Sequence, residues 1–199
     1  WHILDSGALY RLVALAANNH GVPLENEESL QILAENMDIQ FVVKDPSESV
    51  QVILEGETVT KDIRSETAGR NASKVAALPN VRKGLLQRQL DFREHPGLVA
   101  DGRDMGTVVF PDAELKVYLT ASAEERAQRR FKQLHEKGMD ANLADLQAAI
   151  EARDEQDTTR AVAPLVPADD AIVIDSTVMS IDEVFETVIE HARSRGLVN

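Results

Sequence analysis

The sequence contains no cysteine, which excludes disulfides, zinc–thiolate sites and thiol nucleophiles. No apolar run approaches the roughly 20 residues of a membrane span, and the N-terminus carries no signal-peptide pattern. The five histidines (2, 20, 95, 135 and 191) show no metal-ligand spacing, and no Ser–His–Asp order falls at the predicted strand ends. The phosphate-binding pattern G-x-x-x-x-G-K-[ST] occurs nowhere, and there is no internal repeat, linker or low-complexity tract. Basic charge is also in deficit: 21 basic residues face 34 acidic ones, for a net charge of −13. Such a balance argues against general affinity for nucleic acid or anionic membranes. A cytoplasmic protein is expected, and the match of Asn71-Ala72-Ser73 to a glycosylation sequon is discounted.

What is present is a chain of 199 residues with a 43% apolar fraction, enough for one sizeable core and too apolar for a disordered chain. Arginine outnumbers lysine fourteen to seven, and arginine suits planar, bidentate recognition of phosphate and carboxylate. Trp1-His2-Ile3-Leu4-Asp5 reads as the end of a buried strand. Ser6 is the expected N-cap of an apolar-periodic helix that Gly21-Val22-Pro23 ends. A second helix is expected over 26–36. Strands at 39–43, 50–54 and 58–60, with a turn at Asp45-Pro46-Ser47, form a small antiparallel insertion.

Residues 65–95 read as helical, punctuated by Pro79. Apolar strands follow at 98–101, 115–119 and 171–175. Between the last two lie a helix opened by a Ser122/Glu125 capping box and a second helical stretch reaching about residue 157. Ser180 and Glu183 cap the terminal helix. Strand and helix alternate outside the insertion, so an α/β fold is expected, with a parallel sheet covered on both faces.

Ligands of such sheets bind at the carboxyl ends of strands, which directs attention to Asp5-Ser6-Gly7, Asp101-Gly102-Arg103-Asp104 and Asp175-Ser176-Thr177. The first runs into a helix N-terminus suited to an anion, with Arg11 one turn on; an ordinary N-cap with a surface arginine is the structural alternative. In the second, Asp101 could hold Mg²⁺ or its waters, and Arg103 and Asp104 offer a charged fork and an acceptor; a buried Asp–Arg bridge is the structural alternative. Arg153, Asp157 and Arg160 fall at i, i+4 and i+7, which suits either a surface ion-pair ladder or a lid closing two guanidinium groups on phosphate. Arg126, Arg129 and Arg130 read equally as a solvated face or a second phosphate clamp.

At Leu4-Asp5-Ser6-Gly7-Ala8-Leu9-Tyr10-Arg11, at 100–111 (ADGRDMGTVVFP) and at 160–165 (RAVAPL), the chain resembles the bacterial cytidylate kinases. The likeness extends in order along essentially all 199 residues, including the β-insertion. It implies a nucleoside monophosphate kinase-like parallel sheet flanked by helices. The core would comprise 1–37 and 65–199, with an inserted CMP-side unit at 38–64 and a lid around 126–160. It further implies phosphoryl transfer from ATP to CMP or dCMP with Mg²⁺, in a monomer with no nucleic-acid or membrane partner. By the motifs, Ser6, Arg11, Arg103, Arg153 and Arg160 would hold the acceptor phosphate and the transferring group. Ser73, Arg82 and Asp104 would read the cytosine edge, Asp157 would bond the sugar hydroxyls, Asp101 would help position the metal, and Arg126, Arg129 and Arg130 would belong to the lid over ATP. Family members begin with a strand and a Gly-rich phosphate loop ending in lysine, and this chain starts just after that segment. The chain as written is therefore expected not to turn over, and the kinase activity is expected of the complete protein. Competing expectations are a UMP- or AMP-specific kinase and a non-catalytic CMP-binding protein.

Overall fold

In the computed structural model, residues 1–42, 50–136 and 138–199 are described; the expected turn at 45–47 lies outside them. The chain forms two compact units, Trp1–Arg103 and Asp104–Asn199.

In the first unit, β1 (His2–Asp5) pairs in parallel with β5 (Leu98–Asp101), setting Asp5 directly opposite Asp101. Between them come α1 (Ser6–Asn19), α2 (Glu27–Asn36), the antiparallel sheet β2 (Ile39–Val42), β3 (Gln51–Leu54) and β4 (Glu57–Thr58), a 3-10 turn at Asp62–Arg64, α3 (Glu66–Ala76) and α4 (Pro79–Leu90). The core is built on α1, where Leu9, Leu12, Val13, Ala16 and Ala17 are fully buried. Leu30 and Ala34 of α2, Val75 of α3 and Val81 and Leu85 of α4 join it. Helices α2 and α4 approach closely because residue 84 is glycine. A Cβ there would lie 3.0 Å from the Gln31 carbonyl oxygen and 3.2 Å from the Ala34 methyl. Asp5, not Ser6, caps α1: its carboxylate accepts from the Ala8 N–H at 2.9 Å. A carboxylate there also complements the helix dipole.

The second unit begins with a π-helical turn at Met105–Val109. Its parallel pair is β6 (Val117–Thr120) with β7 (Ile172–Asp175), and its helices are α5 (Ala123–Glu136), α6 (Leu143–Thr159) and α7 (Ile181–Ser194). The Ser180/Glu183 capping box forms in full. At Ser122 the hydroxyl accepts from the Glu125 N–H at 3.1 Å, while the Glu125 carboxylate turns to Arg129 at 2.8 Å.

The α/β class and its parallel pairing hold, with the parallel strands divided between two two-stranded ladders among the described residues. Helices flank the parallel strands as expected, but among the described residues their cover is uneven. Leu4 and Ile174 are buried, whereas Ile3, Val99, Leu119 and Val173 are each more than half exposed. Alternate residues of a strand face opposite sides, so the β1–β5 ladder exposes the face of Ile3 and Val99 and turns Leu4 inward, whereas in β6–β7 the exposed Leu119 lies beside buried Ile174.

Candidate active site

In the first unit, the expected acceptor-side residues gather on α1, α3 and α4. Arg11 Nη1 donates to the carbonyls of Ile63 at 2.7 Å and Ser65 at 3.4 Å, binding α1 to the turn that opens α3. Gly69 faces the same guanidinium, where a Cβ would lie 3.4 Å from Nη2. One turn along α3, the Ser73 hydroxyl donates to the Gly69 carbonyl at 3.2 Å. Arg82 of α4 donates to the Ala76 carbonyl at 3.2 Å, and its guanidinium lies over the Tyr10 ring, 5.7 Å from the centroid. Tyr10 is a residue that the spacing arguments did not select, and its face holds the Arg82 cation by the ring quadrupole.

Ser6 has a different setting. It is 2% exposed, and its hydroxyl donates to Gln89 Oε1 at 2.6 Å. Gln89 is itself 1% exposed. This buried polar pair links the start of α1 to the end of α4.

At the paired strand ends, Asp101 faces Asp5. Partial desolvation, followed by repulsion from the Asp5 carboxylate, pushes the Asp101 carboxyl above its usual range; Arg103 and the Gly102 N–H pull the other way. A carboxyl raised by burial and by a like charge gains from a cation beside it. Magnesium, which takes one or two carboxylates with waters and substrate phosphates, fits this donor set. Among the described residues, no three Asp, Glu or His side chains converge as a metal cage.

In the second unit, Asp104 is 3% exposed, and its carbonyl accepts from Val108 and Val109, closing the π-helical turn. Asp157 is 5% exposed, with Arg153 Nε 3.9 Å and Arg160 Nη1 3.8 Å from its carboxylate. The expectation of three residues on one helix face needs a correction here. Helix α6 ends at Thr159, and Arg160 is its C-cap, in extended backbone. The chain then folds back, with Arg160 Nε donating to the Ala163 carbonyl at 2.6 Å and the Leu165 N–H donating to the Asp157 carbonyl at 2.8 Å. That return keeps Arg160 beside Asp157 after the helix has ended.

The arginines of α5 are bound into the protein. Arg126 Nη1 donates to Asp154 Oδ1 at 3.0 Å and Nη2 donates to Oδ2, a two-toothed fork onto α6. Asp154 in turn raises the Arg126 pKa, chiefly by this hydrogen bond. Arg126 Nε donates to the Ala121 carbonyl at 3.0 Å. Arg129 Nη2 donates to the Ser176 carbonyl at 2.5 Å, and Nη1 to the Ser176 hydroxyl at 3.3 Å. Arg130 Nη1 lies 3.5 Å from Gln133 Oε1. The third strand end, Asp175-Ser176-Thr177, is likewise committed to structure: Asp175 accepts from the Thr177 N–H and hydroxyl, and the Ser176 hydroxyl donates to the Thr120 carbonyl. A hollow lined by His2, Arg88, Asp91, Phe92 and Glu94 holds none of the expected site residues.

Comparison with known proteins identifies the family. The cytidylate kinase sequence profile matches residues 1–194. The chain belongs to the cytidylate kinase family.

Among its relatives, the cytidylate kinase of Pseudomonas aeruginosa (strain UCBPP-PA14) is 63% identical over 196 residues, covering 98% of this chain and 86% of the relative. That of Stutzerimonas stutzeri (strain A1501) is 62% identical over 197 residues, 99% of this chain and 86% of the relative. The Azotobacter vinelandii (strain DJ) cytidylate kinase is 60% identical with the same coverage. Among the described residues, no helix is long and apolar enough to cross a membrane.

Proposed function

We propose that this protein transfers the γ-phosphoryl group of ATP to CMP or dCMP, giving ADP and CDP or dCDP. The observation that carries the reading is the whole-chain family match, with relatives 60 to 63% identical along nearly the full length. An acceptor phosphate oxygen attacks the γ-phosphorus and ADP departs, with negative charge spread over the transferring group. The protein contributes position and positive charge. Arg11, Arg103, Arg153 and Arg160 supply that charge, and Ser6 marks the helix start at the acceptor phosphate. Ser73, Arg82 and Asp104 read the cytosine edge. Asp157, buried between two guanidinium groups, accepts from the sugar hydroxyls. Asp101 would hold magnesium, which when bound neutralises phosphate charge. Residues 38–64 form the CMP-side unit and 126–160 the lid on the ATP side, in a cytoplasmic monomer.

The test, made on the full-length protein, is ADP formation and calorimetric binding with CMP, dCMP, UMP and AMP as acceptors. Preference for CMP and dCMP in both measurements is expected, whereas equal or better use of UMP or AMP would overturn it. Arg160→Gln should lower kcat/KM by about 100-fold or more, with the fold retained by circular dichroism.

A further inference from the structure

We infer that Arg126 and Asp154 form a positioning pair, which sets the rotation of α6 and thereby aims Arg153, Asp157 and Arg160. The inference rests on the kinase reading for what those three residues do, and on geometry for how they are held. All three guanidinium nitrogens of Arg126 are used within the protein: two on Asp154 and one on the Ala121 carbonyl. Asp154 adjoins Arg153 in the chain and precedes Asp157 by three residues. Successive helix residues are turned by about 100°, at 1.5 Å rise. Fixing the Asp154 carboxylate on α5 therefore fixes where its neighbours on α6 point.

Apolar packing gives only weak guidance here. Among the described residues of α6, Asp157 alone is buried, and the aliphatic residues Leu146 and Ile150 are only half-buried. Helix α5 is a suitable base, because Arg129 fastens it to Ser176 at the end of β7. A continuous set of directed hydrogen bonds thus runs from β7 through α5 to α6. Directed, two-toothed Arg–carboxylate pairs fix orientation in a way that non-directional apolar contact cannot.

The experiment compares Arg126→Gln, Asp154→Asn, the double variant and the charge-exchanged Arg126→Asp/Asp154→Arg protein. Each single variant should lower kcat by about tenfold, with the ATP KM unchanged and the double variant no worse than either single. The exchanged pair should recover most of the loss. Amide exchange over 157–165 should quicken in both single variants, while α1 stays protected. If Arg126→Gln raises the ATP KM and Asp154→Asn leaves kcat and exchange unchanged, Arg126 is a nucleotide ligand and the inference is wrong. Unchanged exchange in both single variants would also overturn it. If the unaltered full-length protein phosphorylates no CMP, yet exchange responds to both variants and is restored by the exchanged pair, the kinase reading fails and the positioning pair stands.

Discussion

Helices α1 and α6 are similar in length, 14 and 17 residues, and are held in opposite ways. Nine residues of α1 are buried, nearly all apolar, whereas on α6 only Asp157 is. Burial of aliphatic area gives α1 its stability without prescribing direction. On α6, position comes from an arginine fork, a carboxylate between two guanidinium groups and a C-terminal backbone return. Arg11 stands on the first kind of support and Arg153 on the second. Within the first unit a charge thus stands on an apolar frame, and within the second on a helix held largely by charged groups. Individual partly exposed ion pairs contribute little to overall stability, so α6 can be well oriented and still only weakly anchored.

The contrast can be broken at three points. Leu12→Ala, at a fully buried position of α1, should destabilise by about 3 kcal/mol in denaturant unfolding; a loss below about 1 kcal/mol would mean that α1 is not the frame. Asn142 caps α6 by accepting from the Ala144 and Asp145 N–H groups at 2.9 and 3.3 Å. Asn142→Ala should cost about 1 kcal/mol, seen as faster amide exchange in α6 with α1 unaffected. Loss of protection in both helices would dissolve the distinction. The smallest effect is expected from Asp101→Asn. Because the folded pKa of Asp101 is raised, the folded state binds a proton more readily than the unfolded one. Its ionised form therefore burdens the fold at neutral pH, and the burden lifts as pH falls through the folded value. Asp101→Asn should raise Tm slightly at about pH 7 and match the parent at about pH 3. A lowered Tm at neutral pH would show that the carboxylate is stabilising.

Much of this was readable from local pattern. Asn26, Ser65 and Ser180 announce their helices by chemistry acting within three residues, and each does accept from the backbone as such residues should. The strand ends at Asp5 and Asp101, and the Arg153–Asp157 spacing, were visible for the same reason. Three features were not. Cap choice at α1 fell to Asp5 because Ser6 is drawn inward to Gln89, 83 positions away. Tyr10 falls within the apolar-periodic run of α1, and its ring beneath Arg82 depends on how α4 meets α1. Asp154 was one acidic residue among many until α5 and α6 packed and brought Arg126 to it across 28 positions.

The sequence by itself therefore determined the class of fold, the order of elements, most helix ends and the motifs that assign the family, since each follows from periodicity, capping or a fixed local spacing. Tertiary structure alone decided which polar and charged groups are committed to one another. Arg126 bound to Asp154, Arg129 to Ser176 and Ser6 to Gln89 are encounters between distant segments. A hydrogen bond acts over about 3 Å, so its existence depends on how helices and strands pack, and no local pattern encodes that distance.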